Sequence, residues 1–331
     1  MDTKDINPKK RPELGRSEII EALPKACSDE RLAFEFIEAR RWGSEPYCPK
    51  CGDIDVYKMT DAKTGERSTR FLWRCRGCKK TYTARTGTVF EESLIPLRHW
   101  CYAFWRVSVS KKGVAALEIM RQCQISYKSA LFMLHRVRFG LAPKSGSAPK
   151  KLKGIVECDE TYVGGKPRRG VPRKKWSTKK AVFGAVSRGG DIHRRTLCTV
   201  TSRNIKHAVR ESVSRQSTLM TDEAKQYRGL HEEFKGGHHT VMHSVGEYAR
   251  GNVNTNTIES SFAILKRGLM GIHHAVSKEH LHRYLAHYDF LWNTRKLNDG
   301  QRAEAAIQLA IGKRLMYREP IANEESDFKG E

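Results

Sequence analysis

The chain has 331 residues, 39% of them hydrophobic, enough for a sizeable core spread over two or three domains. Lysine and arginine exceed aspartate and glutamate by 61 to 37, a net charge of +24. Such an excess points to a polyanionic partner, a nucleic acid, because basic side chains neutralise phosphates and release counterions. No stretch approaches the roughly 18 uninterrupted apolar residues of a membrane span. The basic charges are not gathered on one amphipathic helix, and the opening MDTKDINPKK lacks a secretory apolar region. A cytoplasmic, nucleoid-associated protein with no membrane partner is therefore expected.

Residues 1–44 read as an N-terminal helical segment. Two helices are expected over 17–42, with Ser17 and Ser28 as N-caps. Leu32, Phe36 and Ala39 recur at helical spacing, widened by Phe34 and Ile37. Residues 45–92 carry two CxxC pairs, Cys48/Cys51 and Cys75/Cys78, separated by 23 residues. Cysteines spaced this way on tight turns can aim two thiolates at one ion, and four make a tetrahedral Zn²⁺ site. The other five cysteines are scattered, and an odd total of nine argues against a disulfide framework. The long insertion reads as a β-arm, with Lys63, Arg67 and Arg70 near its tip as possible DNA contacts.

Residues 93–141 read as all-helical. Trp100, Phe104 and Val107 form an aromatic and aliphatic stripe that belongs to a core. A short helix near Val114–Met120, a turn over Gln122–Ile125 and a second helix capped by Ser126 have the shape of a helix-turn-helix. Leu131, Leu134 and Val137 give the second helix its buried face, and Lys128, Arg136 and Arg138 are the expected DNA contacts. Residues 142–150 (APKSGSAPK, from Ala142) read as a linker.

From residue 151 the pattern turns to strands, and 151–300 reads as one α/β catalytic domain. GIVECDETYV, AVFGAVS and RRTLCTVTS are three strands, followed by a helix from Asn204, a strand ending at Asp222, and HTVMHS as a further strand. Between the first two strands, eight of the fifteen residues from Lys166 to Lys180 are basic, and Lys174 and Lys175 are candidate phosphate grips. Helical pieces fill 257–295, and residues 301–331 are a C-terminal helix and an acidic tail.

Three acids stand out by context: Asp159 on the first strand, Asp222 at the end of the fourth, and Glu259 on a late helix. Carboxylates from two strands and a helix can converge on a pair of Mg²⁺ (or Mn²⁺) ions, which prefer oxygen ligands. Strand alternation puts Glu157 on the same face as Asp159 and Glu160 on the other, so Glu157 and Asp159 both stay open at this point. In the late helix Ile258, Phe262, Leu265 and Leu269 form the buried stripe, and Glu259 and Lys266 share one flank two turns apart. The histidine pairs at 238–239 and 273–274 fit ordinary surface positions better than a second metal site.

The segments CPKCG, CRGCKK, ECDETYVGGK, TLMTDEAKQY and TNTIESSFAILKRG, in that order, resemble the bacterial insertion-sequence transposases that join a zinc ribbon to a DDE catalytic domain. The resemblance implies an RNase H-like mixed sheet with flanking helices, preceded by the zinc ribbon and the helix-turn-helix-like domain. It places metal ligands at Asp159, Asp222 and Glu259, leaving Glu157 as a supporting residue, and a phosphate-contacting lysine at Lys266, beside Arg267. It implies two-metal strand cleavage at inverted-repeat ends and transfer of the 3′-OH to target DNA, by a homodimer or higher oligomer on double-stranded DNA. The competing reading is a non-enzymatic zinc-ribbon and helix-turn-helix DNA-binding regulator derived from such an enzyme. A tyrosine nucleophile at Tyr162 or Tyr248 fits less well than the acids.

Overall fold

The computed structural model describes residues 16–143, 150–164, 179–242 and 249–315. Most of the expected linker, the basic loop with Lys174 and Lys175, His243, Tyr248 and the acidic tail lie outside these residues.

Helices α1 (Arg16–Ser28) and α2 (Glu30–Trp42) meet at Asp29. The Asp29 carboxylate accepts the Leu32 N–H at 2.8 Å and caps α2. Ser28, the expected cap, instead turns its hydroxyl back to the Lys25 carbonyl, and Ser17 falls inside α1. Strands β1 (Val56–Lys58), β2 (Trp73–Cys75) and β3 (Thr81–Tyr82) make the small antiparallel ribbon. It is pinned to α2 by Glu38, which accepts from the Trp73 indole at 2.8 Å and pairs with Arg67. Trp42 packs edge-on against Trp73 and Tyr82. Arg67 is therefore a structural group, and its proposed role at the DNA-facing tip of the arm is not supported; Lys63 and Arg70 remain exposed.

Helices α3 (Leu97–Val109), α4 (Ala116–Cys123) and α5 (Tyr127–Leu141) follow. Gln124 closes α4 in the left-handed region (φ 53°), and the Ser126 hydroxyl accepts the Ser129 N–H to cap α5 as expected. Trp100, Phe104 and Val107 are buried core. Helix α5 does not present a free reading face along its length. It is packed against α3, α4 and two later helices, α8 (Leu281–Asn293) and α9 (Asp299–Ala310), and Gly140 lets Ala310 approach within 3.0 Å of where a Cβ would stand.

This packing corrects two expected DNA contacts. Arg136 is buried, donating to the Glu91 carbonyl and lying over Trp100. Arg138 is 1% exposed and lies 4.2 Å above the Tyr284 ring. They point to different sides of α5, Arg136 toward the Glu91 loop and Trp100 of α3 and Arg138 toward Tyr284 of α8, and no local pattern in α5 discloses either covering. Lys128, in the first turn, is exposed.

The catalytic half is a five-stranded mixed sheet in the order β6-β5-β4-β7-β8. Its strands are β4 (Ile155–Val163), β5 (Lys180–Ser187), β6 (Ile192–Leu197), β7 (Thr218–Asp222) and β8 (His238–Val241). β5 runs antiparallel to β4 and β6, while β7 and β8 run parallel to β4. This is the RNase H-like arrangement. The short α6 (Ser202–Ser212) covers one face, packing Ile205 and Val209 on Val156, Cys158 and Phe183. The opposite face carries α7 (Asn256–Gly268), whose Ile258, Phe262 and Leu265 join Val182 and Val186 in a core shared with the ribbon and helices α1–α5. A π-helical turn, Leu269–His273, leads from α7 toward α8. Among the described residues no helix is long and apolar enough to cross a membrane.

The shared core holds histidines that are neutral because they are dry. His287 is fully buried and donates from Nε2 to the Val107 carbonyl at 2.9 Å, and burial followed by Arg138 pushes it down to about 3. His135 is pushed to about 3 by the same causes. The unfolded chain binds these protons near pH 6.5 and the folded chain does not. Stability is thus flat above pH 6.5 and falls as the pH drops below it, by up to about 1.4 kcal/mol per pH unit per histidine. In urea titrations between pH 7.5 and 5, His287→Gln lowers stability at pH 7.5 yet shows a shallower loss toward pH 5.

Candidate active site and zinc centre

The ribbon brings its four cysteines together. Cys48 and Cys78 have their sulfurs 3.7 Å apart and Cys51 and Cys75 3.6 Å, and all four lie within 4.8 Å of one another. A zinc tetrahedron with Zn–S near 2.3 Å has edges of about 3.8 Å, whereas a disulfide needs about 2.05 Å. The donor set therefore fits Zn²⁺. Each knuckle is held by its own backbone: Gly52 N–H donates to the Cys48 carbonyl and Cys78 N–H to the Cys75 sulfur. Gly77 leaves room for the Asp53 carboxylate, which a Cβ there, 2.0 Å from its oxygen, would force to swing aside.

On the sheet, the parallel register of β4 and β7 pairs Ile155 with Thr218, Val156 with Leu219 and Glu157 with Met220. Two residues further, the same register brings Asp159 level with Asp222, on the same face because the pleat has period two. That face is the one α7 covers. Asp159 pairs with Gly184 of β5, and Gly184 lies directly beneath α7: a Cβ there would stand 2.8 Å from Phe262 and 2.9 Å from Ile258. Glu259 sits in the first turn of the same helix. The three acids come from the middle of β4, the end of β7 and the first turn of α7. Each is oriented locally: Asp159 accepts the Glu160 N–H, Asp222 the Ala224 N–H, and Glu259 the Thr255 hydroxyl. Among the described residues only the four thiols close to within 4.8 Å, so the carboxylates are not drawn to the spacing of one small ion.

Glu157 takes another role, and its partners were not visible in the sequence. It is fully buried, accepts the N–H groups of Thr257 (2.8 Å) and Ile258 (3.0 Å) and the Thr257 hydroxyl, and pairs with Arg188 at 2.6 Å. Thr255, at the N-cap of α7, makes no side-chain cap of its own. The first amides of that helix need an outside acceptor, and Glu157 supplies it; a threonine at the cap position reads in sequence as a helix that caps itself, which hid this role. Glu160, on the opposite face as alternation requires, accepts the Tyr227 hydroxyl. Burial pushes it up to about 7 against that hydrogen bond, and the charges of Asp159 and Asp222 push the same way.

Lys266 and Arg267 are exposed near the far end of α7, two turns along from Glu259. An open cleft of about 550 Å³ starts at Glu223, next to Asp222, and is lined by Lys225, Arg228, His238 and Thr240. His238 bonds Thr221 and is half-buried, with no metal-ligating partners among the described residues.

The architecture is that of a DDE transposase: an RNase H-like domain preceded by a zinc ribbon. Residues 151–293 match the ISXO2-like transposase domain and residues 28–81 the transposase zinc-ribbon domain. The chain is 30% identical over 280 residues to a protein described as an uncharacterized protein in transposable element ISH50 of Halobacterium salinarum, covering 79% of this chain and 90% of that one. The chain belongs to the ISXO2-like transposase family, whose work is the movement of DNA.

Two variants check this geometry. Cys48→Ser, or prolonged chelation, removes about one zinc per chain as counted by metal analysis and lowers the melting temperature, since metal replaces a core the ribbon is too small to build. Gly184→Ala lifts α7 off the sheet and costs about 1–3 kcal/mol by overpacking, read by urea denaturation.

Proposed function

We propose that this transposase cuts DNA at the inverted-repeat ends of its element and joins the freed 3′-OH to target DNA. The observation that carries the reading is the register that sets Asp159 level with Asp222 beneath the helix bearing Glu259. An all-oxygen donor set suits Mg²⁺ (or Mn²⁺). Ions held by Asp159, Asp222 and Glu259 would stabilise the attacking and leaving oxygens of an in-line displacement.

The chain's own groups orient the reaction. Strands β4 and β7 fix the two aspartates, and Glu157 fixes the helix carrying Glu259. Lys266 grips a backbone phosphate on the same flank. Water attacks the phosphorus and gives up a proton to solvent, the P–O3′ bond breaks to leave a 5′-phosphate, and the departing oxygen takes a proton from solvent to become the 3′-OH. That hydroxyl then attacks a target phosphodiester, forming one P–O bond as another breaks, so no protein nucleophile is used. Two ends must be joined together, which suits a dimer or higher oligomer on DNA. Lys128 and Arg267, with Lys174 and Lys175 outside the described residues, supply further phosphate contacts.

Nicking of a labelled inverted-repeat duplex tests the reading. Wild-type protein with Mg²⁺ or Mn²⁺ nicks it and forms strand-transfer products. Asp159→Asn, with zinc and duplex binding intact, drops both activities at least about 10³-fold, the scale on which charge-stabilising groups act. Undiminished cutting by Asp159→Asn, or in the absence of divalent ions, would refute it.

A further inference from the structure

A cavity of about 280 Å³ lies where α4, the first turns of α5, the π-helical turn and the start of α8 come together. It is remote in role from the acids and from the zinc centre. Leu117 and Tyr127, about half exposed, stand among its lining residues on the outer side. Arg138, His135, His273, His280 and Tyr284 line it further.

The inner wall is chemically incomplete. Arg138 is 1% exposed, and its one hydrogen bond is from Nη2 to the Val114 carbonyl at 3.4 Å. Its Nε and Nη1 are buried without a partner. His135 is 7% exposed with an unpartnered Nδ1, and His273 Nε2 and His280 Nδ1 are unpartnered too. Among the described residues the guanidinium faces aromatic rings, Tyr284 and Tyr288, and no carboxylate. The one described carboxylate bearing on the cluster is Glu279, which is exposed and acts on His280. A buried cation left without an opposing charge costs several kcal/mol, and buried donors without acceptors add to that. Nothing inside the described chain relieves it.

We propose that this cavity is a phosphate-binding site, with the oxyanion accepting from Arg138 and from the ring N–H groups of His135 and His273. A metal is disfavoured, because a guanidinium stands in the same wall and the ring nitrogens do not close to ligand spacing. The pocket runs along α5 from Tyr127 in its first turn to His135 and Arg138 toward its end, so the basic wall stands about three turns in from the outer mouth. At that depth a free phosphate, or the phosphate of a small ester, fits the wall where a duplex backbone does not reach. The aromatic lining at Tyr127 and Tyr284 also leaves room for an attached sugar or base.

The test uses the full zinc-loaded chain, titrated with inorganic phosphate by calorimetry in chloride buffer of matched ionic strength. Wild-type protein binds one phosphate saturably and melts higher with it. Arg138→Met binds at least tenfold more weakly, shows no phosphate-dependent rise in melting temperature, and in chloride alone melts at or above the wild-type temperature. A merely structural arginine would instead lower the melting temperature in chloride and leave phosphate binding unchanged, and either result overturns the proposal. Should Arg138→Met fail to fold, His273→Gln at the half-buried rim takes its place: weaker phosphate binding supports the site, unchanged binding refutes it. Absence of a saturable site in the wild type also refutes it. A short duplex that binds without displacing phosphate supports the buried free-phosphate site. A duplex that displaces phosphate, and binds Arg138→Met less tightly, overturns it. No readout involves cleavage, so this site and the nuclease reading stand or fall separately.

Discussion

The carboxylate of Glu157 holds the catalytic half together. It lies fully buried on the central strand, yet takes two backbone amides and a hydroxyl from the start of α7 and a guanidinium from Arg188. Arg188 in turn donates to the carbonyls of Asn252 and Asn254, which tie down the approach to the same helix. A buried carboxylate is costly unless its lone pairs are filled. Here every partner belongs to the strand–helix junction, so the charge can be satisfied only when α7 docks in one position. Removing one partner of such a pair costs about 3–5 kcal/mol. The same contact sets where Glu259 stands relative to Asp159.

Around that anchor the sheet divides labour by its two faces. Val156, Cys158 and Phe183 pack on α6 and make an apolar layer. Glu157, Asp159 and Gly184 face α7, where Glu157 anchors the helix, Asp159 stands beside it, and the glycine clears room for Ile258 and Phe262. Asp222 joins from the end of the neighbouring parallel strand, where the chain turns out toward Tyr227. The two aspartates are thus held on the sheet and half-buried, while Glu259 is exposed in the first turn of α7.

The helical half is tied into the same core. α8 packs on β6 through Asp289, which accepts the Arg194 N–H and guanidinium, and also on α5. Glu38 and the tryptophan pair clamp the ribbon to α2. Positions on α5 that would otherwise read DNA are filled by this packing, which confines its outward surface to the N-terminal turn. The positive charge of this chain is accordingly of two kinds. Some of it is exposed, as at Lys128, Lys266 and Arg267, and some is internal, as at Arg136, Arg138 and Arg194.

The sequence by itself determined whatever depends on neighbours a few residues apart. The CxxC spacing disclosed the thiol cluster, Ser126 the start of α5, the Trp100–Phe104–Val107 stripe the core, the strand order the sheet, and the Ile258–Phe262–Leu265–Leu269 period the buried side of α7. Alternation alone separated Glu160 from Asp159. Only the tertiary structure decided what depends on chain segments tens of residues apart. It brought Asp159 level with Asp222, handed Glu157 to a helix 100 residues on, and gave the α2 cap to Asp29 in place of Ser28. It also buried Arg136 against Glu91 and Trp100 and Arg138 beneath Tyr284 of α8. A charged residue on a helix looks the same in sequence whether it meets solvent or an arriving helix. The difference is the desolvation and partner geometry imposed by the rest of the fold, and no periodicity within α5 encodes that.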